Sequence, residues 1–157
     1  MNSIQFEDFT NNIIILLEET FEKPQGYYLD RSSGGLFGTL ETVSAATASA
    51  LFKPGVTTIA AHVYHTNFYL NEVVVRSLRG EEVPKLNWQK SWDVKTVTEL
   101  EWHDLKQQLH QTYETMMELV KAREIWEDES ITDTLVALAH TSYHVGAIRQ
   151  MILMLEI

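Results

Sequence analysis

Two histidines near the C-terminus have a spacing that suits metal chemistry. His140 and His144 stand four residues apart in the segment HTSYHVGAIRQM. On a helix, residues four apart lie on one face and roughly 6 Å from each other, so both imidazoles could reach a single ion. The same face continues through four apolar residues, which are Val136, Ala137, Ala147 and Met151. We therefore predict that this face is buried, and that the two imidazoles either share a metal ion or hydrogen-bond to hydroxyl or carbonyl groups.

A third ligand could come from the earlier segment AAHVYHTNFYL, which contains His62 and His65. Both residues lie in a helical pattern, and the periodicity does not decide which of them points toward the interior. Tyr69 lies on the His62 face, where it would either line a metal pocket or pack in the core. Tyr143, although it precedes His144, is rotated roughly 100° around the helix, so we predict that it packs between helices.

The other two histidines are poor candidates for the same site. His103 and His110 are seven residues apart, which is about 10 Å along a helix and too far for one tetrahedral ion. Their helix face also carries Lys106 and Gln107. We therefore predict that both histidines are exposed to solvent.

Several catalytic arrangements are absent from the sequence. The residues between His140 and His144 include no glutamate, so the zincin motif, in which a glutamate acts as general base, does not occur. Glu18 and Glu19 have no histidine three residues later, unlike the ligands of ferritin-like di-iron proteins. No glycine-rich nucleotide-binding loop, Ser-His-Asp arrangement or catalytic carboxylate pair is visible. The remaining pattern is three histidines on one ion, and the catalytic residues stay unknown.

Four helical patterns would position these residues. They cover approximately residues 4–21, 57–79, 98–123 and 130–157. Gly80 is a typical stop for the second helix. Thr98 and Glu101 have the spacing of a capping box, and Ser130 is the expected N-cap of the last helix, with Asp133 in its first turn. Only Val73 to Val75 have the β-branched density of a strand, and they lie inside a longer helical period.

Two irregular segments separate these helices. A long connection follows the first helix and contains a short helical turn over residues 36–40. A second loop precedes the third helix and contains Trp88 and Trp92. The two tryptophans would either cover the open end of the helices or anchor the loop onto them.

The composition limits the class of protein. The chain has 157 residues, which suits a single domain over residues 1–157. With few turn-forming residues and four amphipathic patterns, we expect an all-α fold and a four-helix bundle. The net charge of −10 without a basic cluster argues against nucleic acid as a partner. No cysteine, signal peptide or membrane-spanning stretch is present in the sequence, so we expect a soluble cytoplasmic protein.

The histidine motifs also resemble those of a known family. Ala61-His62-Val63 and the later HTSYHVG segment are similar to the DinB/YfiT-like family of small four-helix metalloproteins, and the likeness covers nearly the whole chain. The resemblance implies one divalent metal ion held by His62, His140 and His144, with His65 as the alternative to His62. His62 is preferred because it follows Pro54 by eight residues, where the ligand of the family falls.

The resemblance further implies an enzyme, either a metal-dependent hydrolase or a transferase that uses a low-molecular-weight thiol. We accordingly expect a zinc or nickel ion, a small-molecule substrate with a thiol as one candidate, and a homodimer. Ala147 departs from the family, because many members have glutamine at this position. The alternative is therefore a non-catalytic bundle used for dimerisation or sensing, with or without metal.

Overall fold

The computed structural model describes residues 6–155 and is helical over that range, with no strand among these residues. Its α-helices are α1 (Phe6–Phe21), α2 (Leu36–Glu41), α3 (Ala45–Ser49), α4 (Ile59–Tyr69), α5 (Arg76–Leu78), α6 (Glu99–Lys121) and α7 (Asp128–Leu155). A π-helical segment (Leu70–Val75) joins α4 to α5, and a 3₁₀ turn (Lys90–Trp92) lies in the loop before α6. The all-α prediction is thereby confirmed for the described residues.

Helix α1 is amphipathic, and its apolar stripe faces the core. Ile13, Leu17 and Phe21 recur at four-residue steps and are at most 2% exposed. Burying a side chain of this size stabilises the fold by about 1.5–3 kcal/mol. Residues 4 and 5, where we predicted that the helix begins, lie outside the described residues.

A buried carboxylate holds the loop that follows α1. Glu19 is fully buried and accepts hydrogen bonds of 2.8 to 3.1 Å from the backbone N–H groups of Gln25, Tyr27, Tyr28 and Leu29. Burial alone would raise the pKa of Glu19, but the four N–H donors outweigh it and lower the pKa to about 2. The carboxylate thus supplies the acceptors that regular secondary structure would otherwise provide.

Two short helices lie further along the same connection. Helix α2 confirms the helical turn predicted over residues 36–40. Helix α3 was not predicted from the sequence, and its N-cap is Ser44, whose hydroxyl accepts the N–H of Thr47. A helix of five residues is too short to show a hydrophobic period in the sequence.

Helix α4, the π-helical segment and α5 form one continuous helical stretch, which agrees with the helix predicted over residues 57–79. The Thr58 hydroxyl accepts the N–H of Ala61 and donates to the C=O of Lys95, which ties the start of α4 to the loop before α6. The stretch ends at Gly80, whose φ of 71° is the left-handed conformation that favours glycine. The π-helical segment begins directly after Tyr69, and such segments are often found at functional sites.

Helix α6 begins where the sequence predicts. The Thr98 hydroxyl accepts the N–H of Glu101, and the Glu101 carboxylate accepts the N–H of Thr98. The predicted capping box is therefore confirmed. The helix ends at Lys121, two residues before the predicted end at Arg123.

Helix α7 begins at Asp128 rather than at Ser130, so the predicted N-cap is wrong. Ser130 lies within the first turn, where its hydroxyl accepts the N–H of Glu127 and donates to the C=O of the same residue. The acidic residues of the first turn are accordingly Asp128 and Glu129, and not Asp133.

The four longest helical stretches pack against one another. Helix α1 contacts α6 and α7, and α4 contacts the same two helices. The side-chain N–H of Trp102 on α6 donates to the C=O of Val43 at 2.7 Å, which attaches the α2–α3 segment to this core. In the described part of the chain, no helix is both long enough and apolar enough to cross a membrane. The packing brings α4 and α7 side by side, together with the histidines that they carry.

Candidate metal centre

Four histidines lie together between α4 and α7. His62 and His65 belong to α4, and His140 and His144 belong to α7. His62 and His65 are each 8% exposed and His144 is 2% exposed, whereas His140 is half-buried at the edge of the group. We call these four residues the histidine cluster.

Three of the four imidazoles direct one nitrogen each toward a common point. The Nε2 atom of His140 lies 3.1 Å from Nε2 of His65 and 3.2 Å from Nε2 of His144. One ligand nitrogen from each of the three residues lies within 4.8 Å of the other two. In a tetrahedral zinc site with normal Zn–N distances, ligand nitrogens are about 3.4 Å apart. The spacing therefore fits a single ion bound by His65, His140 and His144.

The partners of His65 determine which of its nitrogens carries the proton. The Ser91 hydroxyl donates to the C=O of Trp88 at 2.7 Å, and it lies 2.7 Å from Nδ1 of His65. Because the only proton of the hydroxyl is already used, the oxygen accepts the Nδ1–H of His65. The Nε2 atom of His65 is left with a free lone pair, which is the form that binds a metal ion.

His62 takes an equivalent position behind His144. The Nδ1 atoms of the two rings are 2.8 Å apart, so one of them donates a hydrogen bond to the other. When His144 donates, its Nε2 keeps a lone pair that faces the common point. His62 therefore contacts the back of the His144 ring, while His65 faces the common point directly.

The converging nitrogens have too few protons to satisfy one another. With lone pairs on Nε2 of His65 and His144, only His140 can donate from its Nε2 atom, and it can form a good bond with one acceptor at a time. The Nδ1 atom of His140 is buried and has no hydrogen-bond partner among the described residues. If the His140 proton lies on Nδ1 instead, its Nε2 presents a third lone pair, and a cation at the common point would then be bound by all three, so this set of donor atoms fits a metal ion.

Burial keeps the histidine cluster uncharged. Desolvation, helped by neighbouring histidines, lowers the pKa of His62 and His140 to about 4 and that of His144 to about 3. Desolvation also lowers the pKa of His65. At neutral pH, all four imidazoles are therefore neutral, as metal binding requires.

Aromatic rings cover two sides of the cluster. The Trp92 ring stacks on His65 with 4.0 Å between ring centroids and meets His62 edge-on at 5.4 Å. The Tyr69 ring lies 4.4 Å from the ring of His140. Burial, followed by the charge of Asp133, raises the pKa of Tyr69 to about 12, so its hydroxyl stays protonated. Trp92 is thus both an anchor of its loop and a cover of the cluster, and Tyr69 lines the site.

Two details of the predicted buried face of α7 are wrong. Val136 is 41% exposed rather than part of the core, and Tyr143 is 70% exposed rather than packed between helices. The buried face instead includes Thr134 and Thr141. Thr134 can be buried because its hydroxyl donates to the C=O of Ser130 at 2.7 Å. A threonine whose hydroxyl donates to a carbonyl of its own helix can be buried like an apolar residue. The residue type alone does not show whether this hydrogen bond forms.

The two remaining histidines are exposed as predicted, whereas one residue that contacts the cluster was not predicted from the sequence. His103 and His110 are exposed, which confirms their prediction. His110 stacks on Phe37 at 4.6 Å and lies 3.3 Å from the carboxylate of Glu114. Ser91 is absent from the predicted site residues, because it lies in a loop without periodicity and approaches His65 only in the folded chain.

Comparison with known proteins leaves the family open. Models of known protein families, curated proteins and solved structures gave no match to the chain. The resemblance to the DinB/YfiT-like family therefore stays a prediction that depends on the histidine motifs. The function has to be inferred from the geometry of the cluster itself.

Proposed function

We propose that the chain binds one divalent cation through the Nε2 atoms of His65, His140 and His144. The observation that carries the proposal is the convergence of three neutral imidazole nitrogens at distances of 3.1 and 3.2 Å. Zinc and nickel are the proposed ions, because imidazole nitrogen suits both. In this assignment His65, the alternative from the sequence, is the ligand on α4, and His62 is the hydrogen-bond acceptor that orients His144.

We further propose that the packed helices form a four-helix bundle of the DinB/YfiT-like type. The order of the long helices and the position of the histidines on the second and the last of them support this assignment. The likeness would put the ligand of α4 at His62, so the proposal includes a shift by almost one helical turn to His65. A cysteine-free, acidic chain also suits the cytoplasm, which belongs to the same proposal.

The proposed activity is that of a metal-dependent enzyme, either a hydrolase or a transferase using a small thiol, that acts on a small molecule. Three protein ligands leave coordination positions open to a substrate. When bound, the cation supplies Lewis acidity to a carbonyl oxygen or a thiol. Tyr69 is the proposed hydrogen-bond donor to the substrate, because its ring lies beside His140 and its hydroxyl stays protonated. Trp92 excludes water from the His65 side.

One observation favours a second candidate function. The residues between His140 and His144 are a threonine, a serine and a tyrosine, so the helix lacks the glutamate that acts as general base in the zincin motif. Ala147, which stands where many members of the family have glutamine, provides no replacement. A bundle that uses a bound ion for sensing or for stability needs neither group.

Metal analysis of tag-free protein, purified without chelator, tests the proposal. We expect about one divalent ion per chain, and chelation should lower the thermal midpoint because the ion binds only the folded state. His65→Ala, His140→Ala and His144→Ala should each lose the ion and the effect of chelator, whereas His103→Ala, at an exposed position, should keep both. Equal destabilisation of metal-loaded and chelated protein by His140→Ala would show that the histidines are only core residues.

A further inference from the structure

The histidine cluster is most accessible at His140. This residue is half-buried, whereas the other three members of the cluster are at most 8% exposed. The ring of Trp92 stacks on His65 and covers that side of the cluster. A molecule that binds the ion therefore approaches over His140, and the residues beside His140 determine which molecules fit there.

Two aromatic rings line this edge of the cluster, and neither has a cation over its face. The ring of Tyr69 lies 4.4 Å from that of His140, and the ring of Trp88 lies 6.3 Å from that of Tyr69. Trp88 is 47% exposed, although tryptophan is highly buried on average. Elsewhere in the described chain a lysine or arginine lies over three aromatic rings, but none lies over these two. A cation from outside could lie within about 6 Å of both ring centroids.

The carboxylate of Asp133 lies near Tyr69 and has no ionic partner. Asp133 precedes His140 by seven residues, so the two residues share one face of α7 about 10 Å apart. Burial, followed by the charge of Asp133, raises the pKa of Tyr69 to about 12, which places this carboxylate near the phenol. Asp133 is half-buried, and the ion pairs of residues 6–155 do not include it. A partly buried carboxylate is costly when unpaired, so Asp133 favours a cation from outside.

Val136 gives the segment between Asp133 and His140 an apolar surface. It lies three residues after Asp133 and four residues before His140, and it is 41% exposed. An aliphatic chain that extends from the ion toward Asp133 would cover this side chain and remove apolar surface from water. We call the four residues that line this edge the entrance: Tyr69, Trp88, Asp133 and Val136.

The charges around the entrance favour a cation over an anion. Asp133 is the one charged residue of the entrance, and Glu129, one turn before it on α7, is exposed. Lys85 and Lys90 belong to the loop of Trp88, but among the described residues neither pairs with Asp133 nor lies over an entrance ring. The net charge of −10 also attracts cations at long range. An anionic group would therefore meet like charge at the entrance.

We propose that the entrance binds an organic cation, so that the substrate of the metal centre carries an ammonium group about 10 Å from the group that binds the ion. The ammonium lies against the faces of Trp88 and Tyr69 and pairs with Asp133, while the chain that connects it to the ion crosses Val136. This inference rests on the proposed metal site and adds the chemical class of its substrate.

Three straight-chain hydroxamates of equal length test the entrance on zinc-loaded protein. Each binds the ion through its two oxygens, and the tails, which span about 10 Å, end in an ammonium, a methyl or a carboxylate group. Calorimetry gives the three affinities, and the readout is the ratio of the ammonium affinity to the methyl affinity. We expect Asp133→Asn to lower this ratio about tenfold and Trp88→Ala to lower it about threefold, because each removes one attraction for the cation.

Asp104→Asn is the matched control. It removes the same charge at an exposed position on α6 and should leave the ratio unchanged. A ratio that Asp133→Asn does not alter, or a carboxylate tail that binds wild type most tightly, would overturn the cation site while leaving the metal site intact. If instead the methyl-tailed hydroxamate binds equally well to zinc-loaded and chelator-treated protein, the proposed metal site fails, and this inference fails with it.

Discussion

At the scale of single residues, His62 can have one of two roles: it binds the ion itself, or it accepts a hydrogen bond that orients the ligand His144. Asparagine places an amide oxygen close to the position of the imidazole Nδ1, so it can accept the Nδ1–H of His144, and leucine cannot. We expect His62→Leu to lower metal affinity about 10–100-fold, the range found for lost partners of metal ligands. His62→Asn should keep most of the wild-type affinity. Competition with a chromophoric chelator measures both.

The same pair of variants tells the two ligand assignments apart. If His62 binds the ion itself, His62→Asn loses as much affinity as His62→Leu, and His65→Ala loses much less. Folding of each variant is checked in chelator, where the metal makes no contribution to stability.

Glu19 should make the stability of the chain depend on acid. Its pKa is about 2 in the folded chain, compared with 4.5 as the ordinary value, so its contribution is fully present above pH 4.5 and is lost as the pH falls toward 2. Glu19→Gln replaces an acceptor oxygen by a donor and leaves two buried N–H groups without a partner, at a cost of about 1–3 kcal/mol. Urea unfolding of both proteins should show a difference that shrinks between pH 4.5 and 2. A difference independent of pH would contradict this role.

At the scale of secondary structure elements, Gly35 sets the distance between α1 and α2. A Cβ atom at this position would lie 2.5 Å from the carbonyl carbon of Phe21 and 2.7 Å from the backbone nitrogen of Glu22. These atoms belong to the end of α1, so Gly35→Ala must displace α2. We expect a loss of about 1–3 kcal/mol in the free energy of unfolding, as for other overpacked sites.

Gly38→Ala is the matched control for this prediction. A Cβ atom at Gly38 meets no atom within 4 Å, and the residue lies inside α2. Alanine there should be neutral or stabilising by up to about 1 kcal/mol, because it has the higher helix propensity. Equal effects of the two substitutions in urea unfolding would show that the contact between α1 and α2 is not rigid.

At the scale of the whole molecule, the negative net charge predicts that the chain does not bind nucleic acid. With 22 acidic and 12 basic residues and no basic cluster in its sequence, it should not bind phosphate backbones. We expect the protein to pass through a heparin or DNA column at about 0.15 M salt, where exposed charges more than a Debye length apart are largely screened. Retention under these conditions would indicate a local basic surface that the net charge conceals.

The sequence by itself determined the features that depend on neighbours within about four residues. The capping box of Thr98, the stop at Gly80 and the pairing of His140 with His144 on one helix all follow from local hydrogen bonds and helical spacing. Helix α3 and the start of α7 were missed because a short helix and a serine with two possible roles carry little local information. The exposure of His103 and His110 followed from the polar face around them.

Only the tertiary structure decided how the helices are rotated about their axes. His62 and His65 point only about 60° apart around α4, so a small rotation of this helix about its axis would exchange the ligand for its neighbour. The hydrophobic periodicity of the sequence is too coarse to tell the two residues apart. The packing of α4 against α7 turns His65 toward His140, and the loop before α6 brings Ser91 to its other side. The same packing buries Thr134 and leaves Tyr143 exposed. These outcomes depend on contacts between residues 26 to 82 positions apart, which residue types and spacing within one helix do not contain.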